Sequence, residues 1–338
     1  MANSNGRDLV VVAASAGGVE ALRSLVAELP GDLAAVVLVV LHLPARGESA
    51  LAGILDRAGP LPAAPARDGE RLRHGHVHVA PPDRHMLVRD GTVRLVRGPR
   101  YNGHRPAADP LFLSAALEGG SRAAAVVLSG TLDDGARGSS VVERHGGVVV
   151  VQDPLESAFD GMPRAALAAT ESAESLSVKK IAGWLVRQSR TPVAEGPVRD
   201  AAVEREIARY LLTADSGTHE GQLTALSCPE CGGPVYETVA GPETYYGCRV
   251  GHAWTPKGLA SGQAEAVERA LWTVILRLEE RLRLLDRMVK RAESGGRNHS
   301  SRRLRRDAEE TGRALETMRM LQNSIDGAGD DLVSHSGP

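Results

Sequence analysis

Three polar residue types that could form a nucleophilic site each follow an apolar run of the sequence. Ser15 comes after LVVVAA, His42 after VVLVVL, and the pair Asp133 and Asp134 after AAVVLSGTL. A serine attacks a carbonyl carbon when an imidazole accepts its proton and a carboxylate orients that imidazole. These residues therefore indicate nucleophilic hydrolysis if the fold brings them to one place.

Each of these residues also has a simpler interpretation. Ser15 stands before a glycine pair, where it could cap a helix, and an aspartate before a helix is commonly a cap as well. A glycine-rich turn can hold a dinucleotide, but ASAGGVEA lacks the G-x-G-x-x-G spacing, and no suitable acidic residue ends the second apolar run. Because serine, histidine and aspartate occur together at three such positions, we favour the nucleophilic interpretation.

The apolar runs predict a sheet that places these residues at one edge. From about residue 8 to 190, short Val-rich runs alternate with helical patterns, and the runs are apolar without alternation. Such strands are buried on both faces, so we expect an α/β fold with a doubly wound, mostly parallel, Rossmann-like three-layer sheet. The run HVHVAPPDRHMLVRDGTVRLV should insert antiparallel strands that turn at Asp90–Gly91. Open α/β sheets place ligands at the carboxyl ends of their strands.

A second group of residues has the spacing of a metal site. All three cysteines of the chain and one histidine lie in CPECGGPVYETVAGPETYYGCRVGHAW, as Cys228, Cys231, Cys248 and His252. A Cys-x2-Cys pair followed by Cys-x3-His suits a closed tetrahedral Cys3His zinc site, which has no open position for catalysis. A disulfide would leave one cysteine unpaired, so the spacing favours a structural zinc ion.

The sequence pattern divides the chain into four segments. Residues 1–190 form the predicted catalytic α/β domain, and residues 191–226 are a Pro-, Gly- and Glu-rich linker with one short helix around Val203 to Leu212. Residues 227–258 form the zinc knuckle, and residues 262–326 form a helical hairpin or coiled coil.

The last segment carries apolar residues at heptad spacing on two predicted helices. On the first helix, with an interruption at Arg281, these residues are Val267, Leu271, Val274, Leu278, Leu285 and Met288. On the second helix they are Leu304, Ala308, Leu315, Met318 and Ile325. Such a hairpin can fold on itself, self-associate or dock on a helical partner.

Composition and charge exclude several classes of protein. The 338-residue chain is 42% hydrophobic and has a net charge of -2, which gives no general attraction to nucleic acid or anionic membranes. Its longest apolar run, Leu33 to Leu41, is about half of the roughly 20 residues that span a bilayer, and no basic segment with an apolar stretch opens the sequence. We therefore expect a cytoplasmic globular protein without membrane insertion or nucleic-acid binding.

Residues 8 to about 170 resemble the catalytic domain of the CheB family, the chemotaxis protein-glutamate methylesterases. The resemblance lies in the order and spacing of AASAGGVEAL, LVVLHLP, DGERLRHGHVHVAPPDRHML, NGHRPAADPLFLSAA, VVLSGTLDDGARG and DGMPRAAL. It implies that Ser15 is the nucleophile, His42 the general base and Asp134 the orienting carboxylate. It also implies that no cofactor takes part in catalysis.

The same resemblance assigns further residues to the substrate and oxyanion region. Ala16 follows the nucleophile, and the family's oxyanion site uses the backbone of a T-G-M-G-x-D-G motif that reads SGTLDDG here. Thr131 takes the methionine position of that motif, and Leu132 takes a glycine position. His104 and Arg105 in GHRPAAD match a motif at the rim of the substrate site.

The implied reaction is hydrolysis of glutamyl 5-methyl esters on receptor helices, with glutamine deamidation as a second activity. The substrate partner would be a methyl-accepting receptor or a receptor-like signalling protein. Two alternatives keep the fold: an esterase or amidase with another substrate, and a signalling adaptor without turnover. No receiver domain is expected before the first strand, so control would come from another protein or from residues after 190. For those residues we favour recruitment of helices over a lid on the active site.

Overall fold

The computed structural model divides the chain into two units, Met1–Ala260 and Ser261–Pro338. The described residues are 6–43, 49–193, 200–211, 221–240, 243–294 and 298–334.

The first unit is built around strands that pair in parallel. In chain order its first strands are β1 (Leu9–Ala14), β2 (Val36–Leu41), β3 (Ala63–Pro65), β4 (Val77–Val79), β5 (His85–Arg89), β6 (Thr92–Val96), β7 (Ala123–Val127), β8 (Val148–Gln152) and β9 (Glu174–Leu176). Seven of them form one sheet in the order β3-β4-β2-β1-β7-β8-β9, and every pairing in it is parallel. The predicted parallel sheet is therefore confirmed.

Helices cover both faces of this sheet. They are α1 (Gly18–Glu28), α2 (Leu51–Ala58), α3 (Ala108–Gly119), α4 (Ala136–Arg144), α5 (Gly161–Ala169), α6 (Val178–Arg190) and α7 (Ala201–Leu211). Val10 and Val12 of β1 are buried with α1, α2 and α6, whereas Val11 and Ala13 are buried with α3, α4, α5 and α7. Since both sides of β1 are covered, its sequence is apolar without alternation. The doubly wound three-layer architecture is confirmed.

Strands β5 and β6 form a separate antiparallel hairpin with Asp90 and Gly91 at its turn. Their φ angles are 51° and 65°, the positive values that a two-residue hairpin turn requires, so the predicted turn is confirmed. The preceding HVHV run, expected in the antiparallel insertion, instead supplies β4, which pairs in parallel with β2. Val77 and Val79 are buried in the core on the α1 side of the main sheet, and this burial favours the parallel pairing.

The segment 191–226, predicted as a linker, contains α7. This helix buries Val203, Ile207 and Tyr210 in the core that it shares with α3. Glu206 forms an ion pair with Arg137 of α4 at 2.5 Å, and each of the two side chains is only 6% exposed. Residues 201–211 therefore pack as part of the α/β unit, which a connection between independent domains would not do.

A small antiparallel sheet completes the first unit. Its strands are β10 (Gln222–Ser227), β11 (Pro234–Ala240), β12 (Glu243–Cys248) and β13 (Ala253–Trp254), paired in that order. We call residues 221–255 the knuckle sheet. Val235, Trp254 and two of the cysteines are buried at its centre.

The second unit is a pair of long helices. Helix α8 (Pro256–Ser294) enters it at Ser261, and α9 (Asn298–Ser334) follows. Glu279 of α8 and Arg319 of α9 form an ion pair at 2.7 Å, so the two helices contact each other as the hairpin prediction requires. No helix in the described part of the chain is both long enough and apolar enough to cross a membrane.

The buried face of α8 agrees in part with the predicted heptads. Leu285 is buried as predicted, and Leu271 and Leu278 are half-buried. Val267, Val274 and Met288 are instead 53%, 42% and 44% exposed, and Ile275, which was not predicted, is buried. The exposed residues were assigned to the buried face because α8 is apolar on more than one side.

Replacing Glu206 by alanine should strongly destabilise the first unit. The change leaves the Arg137 guanidinium buried without the Glu206 carboxylate, which costs about 3–5 kcal/mol. Glu204 is exposed on the same helix, so Glu204→Ala should change the free energy of unfolding by less than about 0.5 kcal/mol. Urea unfolding measures both variants, and equal losses would contradict a packed α7.

His85 should make the first unit sensitive to acid. Its ring is fully buried, Nε2 lies 2.8 Å from the Pro99 carbonyl oxygen, and burial lowers the pKa of His85 to about 4. An unfolded histidine titrates near pH 6.5, so from about pH 6.5 down to about pH 4 the unfolded chain binds a proton that the native chain does not. Stability should therefore fall as the pH falls through this window, by about 1.4 kcal/mol per pH unit for this group.

The measurement is urea unfolding of wild type and His85→Gln between pH 7 and pH 5. The variant should show a shallower loss of stability with acid because the titrating group is gone. His76→Gln is the matched control, since its ring contacts only the exposed backbone of His74 among the described residues. Parallel pH curves for wild type and His85→Gln would show that His85 does not carry the effect.

Candidate active site

Strands β1, β2 and β7 are neighbours, and their carboxyl ends meet at one edge of the sheet. Ser15 directly follows β1, His42 directly follows β2, and Asp134 lies between β7 and α4. The Ser15 N–H donates to the Ser129 carbonyl at 2.9 Å, and the His42 N–H donates to the Ala14 carbonyl at 3.2 Å. The chain adds β2 on one side of β1 and later adds β7 on its other side. The carboxyl edge at β1 and β7 is therefore a topological switch point.

The structure brings Ser15, His42 and Asp134 into one hydrogen-bonded chain. His42 Nδ1 lies 3.0 Å from Ser15 Oγ, and His42 Nε2 lies 2.6 Å from Asp134 Oδ2. The His42 side chain is 7% exposed and that of Asp134 is 2% exposed. An imidazole that donates from Nε2 to Asp134 leaves Nδ1 free to accept the Ser15 proton, so the geometry suits general base catalysis.

Asp134 is held by backbone donors as well as by His42. The N–H groups of Ala108 and Asp109, at the start of α3, donate to its Oδ2 at 2.7 Å and its Oδ1 at 3.1 Å. Burial would raise the pKa of Asp134, but the hydrogen bond and charge of His42 and these two N–H groups bring it below its usual value. The ionised carboxylate can therefore balance an imidazolium formed at His42.

Asp109 has the opposite environment, although it lies beside Asp134. It is fully buried, and its Oδ1 accepts one hydrogen bond from the Gly138 N–H at 2.7 Å. Burial and the neighbouring charge of Asp134 raise the pKa of Asp109 well above its usual range. Of the two adjacent carboxyl groups, Asp134 is therefore the one whose surroundings favour the charged form.

Ala16, predicted in the oxyanion region, lies at the entry to α1. Among the described residues, the N–H groups of Ala16 and Gly17 donate to no other group. Gly17 has φ 71°, and a Cβ there would lie 2.8 Å from both Ala158 Cβ and Ser129 Oγ. Ser129 Oγ also donates to the Ala16 carbonyl at 2.8 Å, so this turn is fixed with its N–H groups next to Ser15. Such groups at a helix N-terminus can stabilise an oxyanion.

The SGTLDDG loop forms another wall of the site. Thr131, the second predicted oxyanion position, is exposed, and Leu132 has φ 61°. That left-handed conformation is the one that glycine favours, so Leu132 keeps the glycine-like backbone at a cost of about 1–2 kcal/mol. A Cβ at Gly130 would lie 2.9 Å from Ser15 Cβ and closer still to Met162, so only glycine fits next to the serine.

The two predicted rim residues have different environments. The His104 ring is stacked on the His42 ring, with centroids 3.9 Å apart and planes 9° from parallel. Burial and the adjacent His42 lower the pKa of His104 to about 4. The Arg105 guanidinium instead donates hydrogen bonds to the Asp83 carboxylate and, at 2.5 Å, to the Gly98 carbonyl oxygen. These bonds hold the Arg105 side chain against neighbouring loops of the fold.

Two residues at this edge, Asn102 and Thr255, were not predicted from the sequence. Asp133, the other acid of the candidate pair, does not hydrogen-bond to His42: its Oδ1 accepts from Thr255 Oγ1 at 2.8 Å. Thr255 N–H donates to Asn102 Oδ1 at 2.8 Å. These contacts join positions more than 100 residues apart in the chain. Only the Asn102–Gly103 pair carries a local signal, that of a tight turn.

The four predicted metal ligands lie together in the knuckle sheet. The ligand atoms of Cys228, Cys231, Cys248 and His252 are all within 4.8 Å of one another. His252 Nδ1 lies 3.6 Å from Cys228 Sγ and 3.5 Å from Cys248 Sγ, and Cys231 Sγ lies 3.6 Å from Cys248 Sγ. The cluster could hold one metal ion.

Comparisons with known proteins agree on the family of the first unit. The sequence profile of the CheB methylesterase family matches residues 10–185. A protein-glutamate methylesterase/protein-glutamine glutaminase of Anaeromyxobacter dehalogenans is 47% identical over 163 residues, which cover 48% of each chain. A putative protein of the same name from Leptospira interrogans is 34% identical over 181 residues, covering 53% of this chain and 94% of that protein. The chain thus spans about half the length of the Anaeromyxobacter protein.

The fold has a counterpart among solved structures. The crystal structure of the Thermotoga maritima CheB methylesterase catalytic domain is 31% identical in sequence with a TM-score of 0.51. The match covers 53% of this chain and 97% of that domain. The chain belongs to the CheB methylesterase family.

Proposed function

We propose that this chain is a serine hydrolase that removes methyl groups from glutamyl 5-methyl esters of chemotaxis-type receptors. The observation that carries the proposal is the chain of hydrogen bonds from Ser15 through His42 to the buried Asp134 at the switch point of the sheet. Relatives that share this domain are named protein-glutamate methylesterase/protein-glutamine glutaminase, which supports this substrate.

The reaction follows from the positions of these groups. Ser15 Oγ attacks the ester carbonyl while His42 Nδ1 takes its proton, and Asp134 balances the resulting imidazolium. The N–H groups of Ala16 and Gly17 donate to the oxyanion of the tetrahedral intermediate. His42 then returns the proton to the leaving methoxide, which departs as methanol.

The second half of the reaction regenerates Ser15. Water attacks the acyl-serine ester with His42 as base, and the products are a glutamate side chain and free Ser15. A glutamine side chain can enter the same sequence and release ammonia in place of methanol, which would be the deamidase activity.

The three cysteines are free thiols, which fit a reducing compartment, so we place the protein in the cytoplasm.

Two other functions remain as competitors. One is hydrolysis of a different ester or amide by the same residues, and the other is a signalling adaptor that does not turn over substrate. Labelling of Ser15 by a fluorophosphonate separates both hydrolases from the adaptor. Methanol release from a methylated receptor then separates the methylesterase from other hydrolases.

Substitutions in the proposed triad should abolish turnover. We expect Ser15→Ala, His42→Ala and Asp134→Asn each to lower methanol release by about 10⁴-fold, the scale on which triads fail, without loss of the folded state. Asp133→Asn is the matched control at the neighbouring position and should lower turnover far less, because Asp133 does not contact His42. A larger loss for Asp133→Asn than for Asp134→Asn would overturn the assignment.

We further propose that Cys228, Cys231, Cys248 and His252 hold a structural zinc ion. Tetrahedral zinc bonded to sulfur at about 2.3 Å and nitrogen at about 2.05 Å separates two sulfurs by about 3.8 Å and sulfur from nitrogen by about 3.6 Å. Three of the ligand-atom distances, at 3.5–3.6 Å, lie near those separations, and all four ligand atoms are within 4.8 Å of one another. Four protein ligands close the coordination shell, so the ion would stabilise the knuckle sheet and take no part in ester hydrolysis.

Purified protein should contain about one zinc ion per chain. Chelation should loosen residues 227–256 and leave the main sheet folded, because the ion holds the knuckle sheet alone. Cys231→Ser should lower the zinc content in elemental analysis. Val250→Ser, at a 60% exposed position between Cys248 and His252, should keep it. A metal-free preparation with unchanged thermal stability would contradict the proposal.

A further inference from the structure

The knuckle sheet is attached to the rim of the active site by backbone pairing. Ala253 of β13 donates its N–H to the Arg100 carbonyl at 3.1 Å, and its own carbonyl accepts from the Asn102 N–H at 2.9 Å. Arg100 also lies 3.4 Å from Glu230, between the first two cysteines of the cluster. Tyr101 and Ala253 thus form an isolated parallel bridge that joins the rim to β13.

Thr255 extends this attachment with its side chain. Its N–H donates to Asn102 Oδ1 at 2.8 Å, and its hydroxyl donates to Asp133 Oδ1 at 2.8 Å while accepting the Gly258 N–H at 2.9 Å. Thr255 is 8% exposed and Asn102 is 6% exposed, so these bonds are shielded from water. One buried threonine therefore links the knuckle sheet to two loops of the catalytic edge.

The turn that Thr255 holds leads directly to His104. Asn102 and Gly103 have φ 47° and 77°, and Tyr101 and His104 exchange backbone hydrogen bonds at 3.1 and 2.8 Å. These features define a two-residue hairpin turn, the shortest hairpin connection. Because the turn has only two residues, a change in its orientation also moves the residues at its ends. One of these is His104, whose ring is stacked on that of His42.

We propose that the knuckle sheet is a fixed wall of the active site and that Thr255 is a positioning residue. It holds the Asn102–Gly103 turn and Asp133 so that His104 stays stacked on His42. The inference rests on the proposed function only in assigning His42 as the base that Ser15 needs. Without the Thr255 contacts, His104 can leave His42, and His42 gains freedom to rotate away from Ser15.

The position of the metal ligands gives this role a physical basis. His252 lies one residue before Ala253 and three before Thr255, so an ion held by His252 also fixes the segment that pairs with the rim. Loss of the ion should release β13, and with it the hydrogen bonds to Asn102. The metal cluster would then support Ser15 chemistry without touching substrate.

The first test uses the full chain carrying Thr255→Val, which removes the hydroxyl and keeps the shape. Because small displacements of catalytic groups cost up to about 10²-fold, we expect kcat on a small ester to fall about 10- to 100-fold. We expect KM to change by less than about 2-fold, since the variant disturbs the base and leaves substrate contacts in place. Thr255→Ser should restore the wild-type kcat because its hydroxyl makes the same bonds.

Two further variants separate positioning from general damage. Thr224→Val removes a partly buried hydroxyl that donates to the Val235 carbonyl inside the knuckle sheet, far along the chain from the rim, and should leave kcat unchanged. Asn102→Gly removes the acceptor of the Thr255 N–H, and glycine tolerates the positive φ of this position. It should lower kcat as Thr255→Val does while the zinc content stays at the wild-type value.

Hydrogen exchange tests the attachment without any assay of turnover. Chelation of the metal should speed exchange of the Asn102 and His104 amides and leave those of β1 and β2 protected. Unchanged exchange in residues 99–104, or equal kcat for Thr255→Val and Thr224→Val, would overturn the inference. If wild type releases no methanol from methylated receptors, the proposed substrate fails, and the exchange result still decides whether the knuckle sheet holds the rim.

Discussion

A reciprocal pair of helix caps governs the architecture of the active site. Asp134 precedes α4 but accepts the first N–H groups of α3, and Asp109 lies in α3 but accepts the Gly138 N–H in the first turn of α4. Each helix thus supplies the acceptor that the other helix needs at its N-terminus. A buried carboxylate is costly unless donors surround it, and here the backbone of α3 supplies two of the three.

The charges of these two aspartates cannot be set independently. Both are buried and adjacent, so ionisation of one raises the pKa of the other. His42 and the two N–H groups lower the pKa of Asp134, while burial and the charge of Asp134 raise the pKa of Asp109. The charge of the proposed catalytic carboxylate is therefore favoured by its hydrogen-bond donors. This explains why the approach of α3 to α4 matters for chemistry as well as for packing.

The sequence alone was enough to predict the positions of the site residues that directly follow strands. Ser15 and His42 each directly follow a continuous apolar run, and such runs pair in parallel because both of their faces are buried. This reasoning could not predict the hydrogen bonds of Arg105 and Thr255. Their partners, Asp83 and Asp133, are chosen by how distant loops meet, which no local pattern encodes. The α8 heptads were right only in part for a related reason, since an excess of apolar residues leaves the buried face undetermined until a partner helix is known.

The attachment of the knuckle sheet also bears on whether it could act as a lid. Four hydrogen bonds of 3.1 Å or less join Ala253 and Thr255 to Arg100, Asn102 and Asp133. At about 1 kcal/mol for each bond, opening costs about 4 kcal/mol, which keeps the detached state near one molecule in a thousand. A lid populated so rarely would limit turnover severely unless a partner stabilised the open state. A wall that stays closed imposes no such limit. Recruitment of helical partners stays a prediction for the second unit, where Trp272 and Leu284 are 51% and 57% exposed.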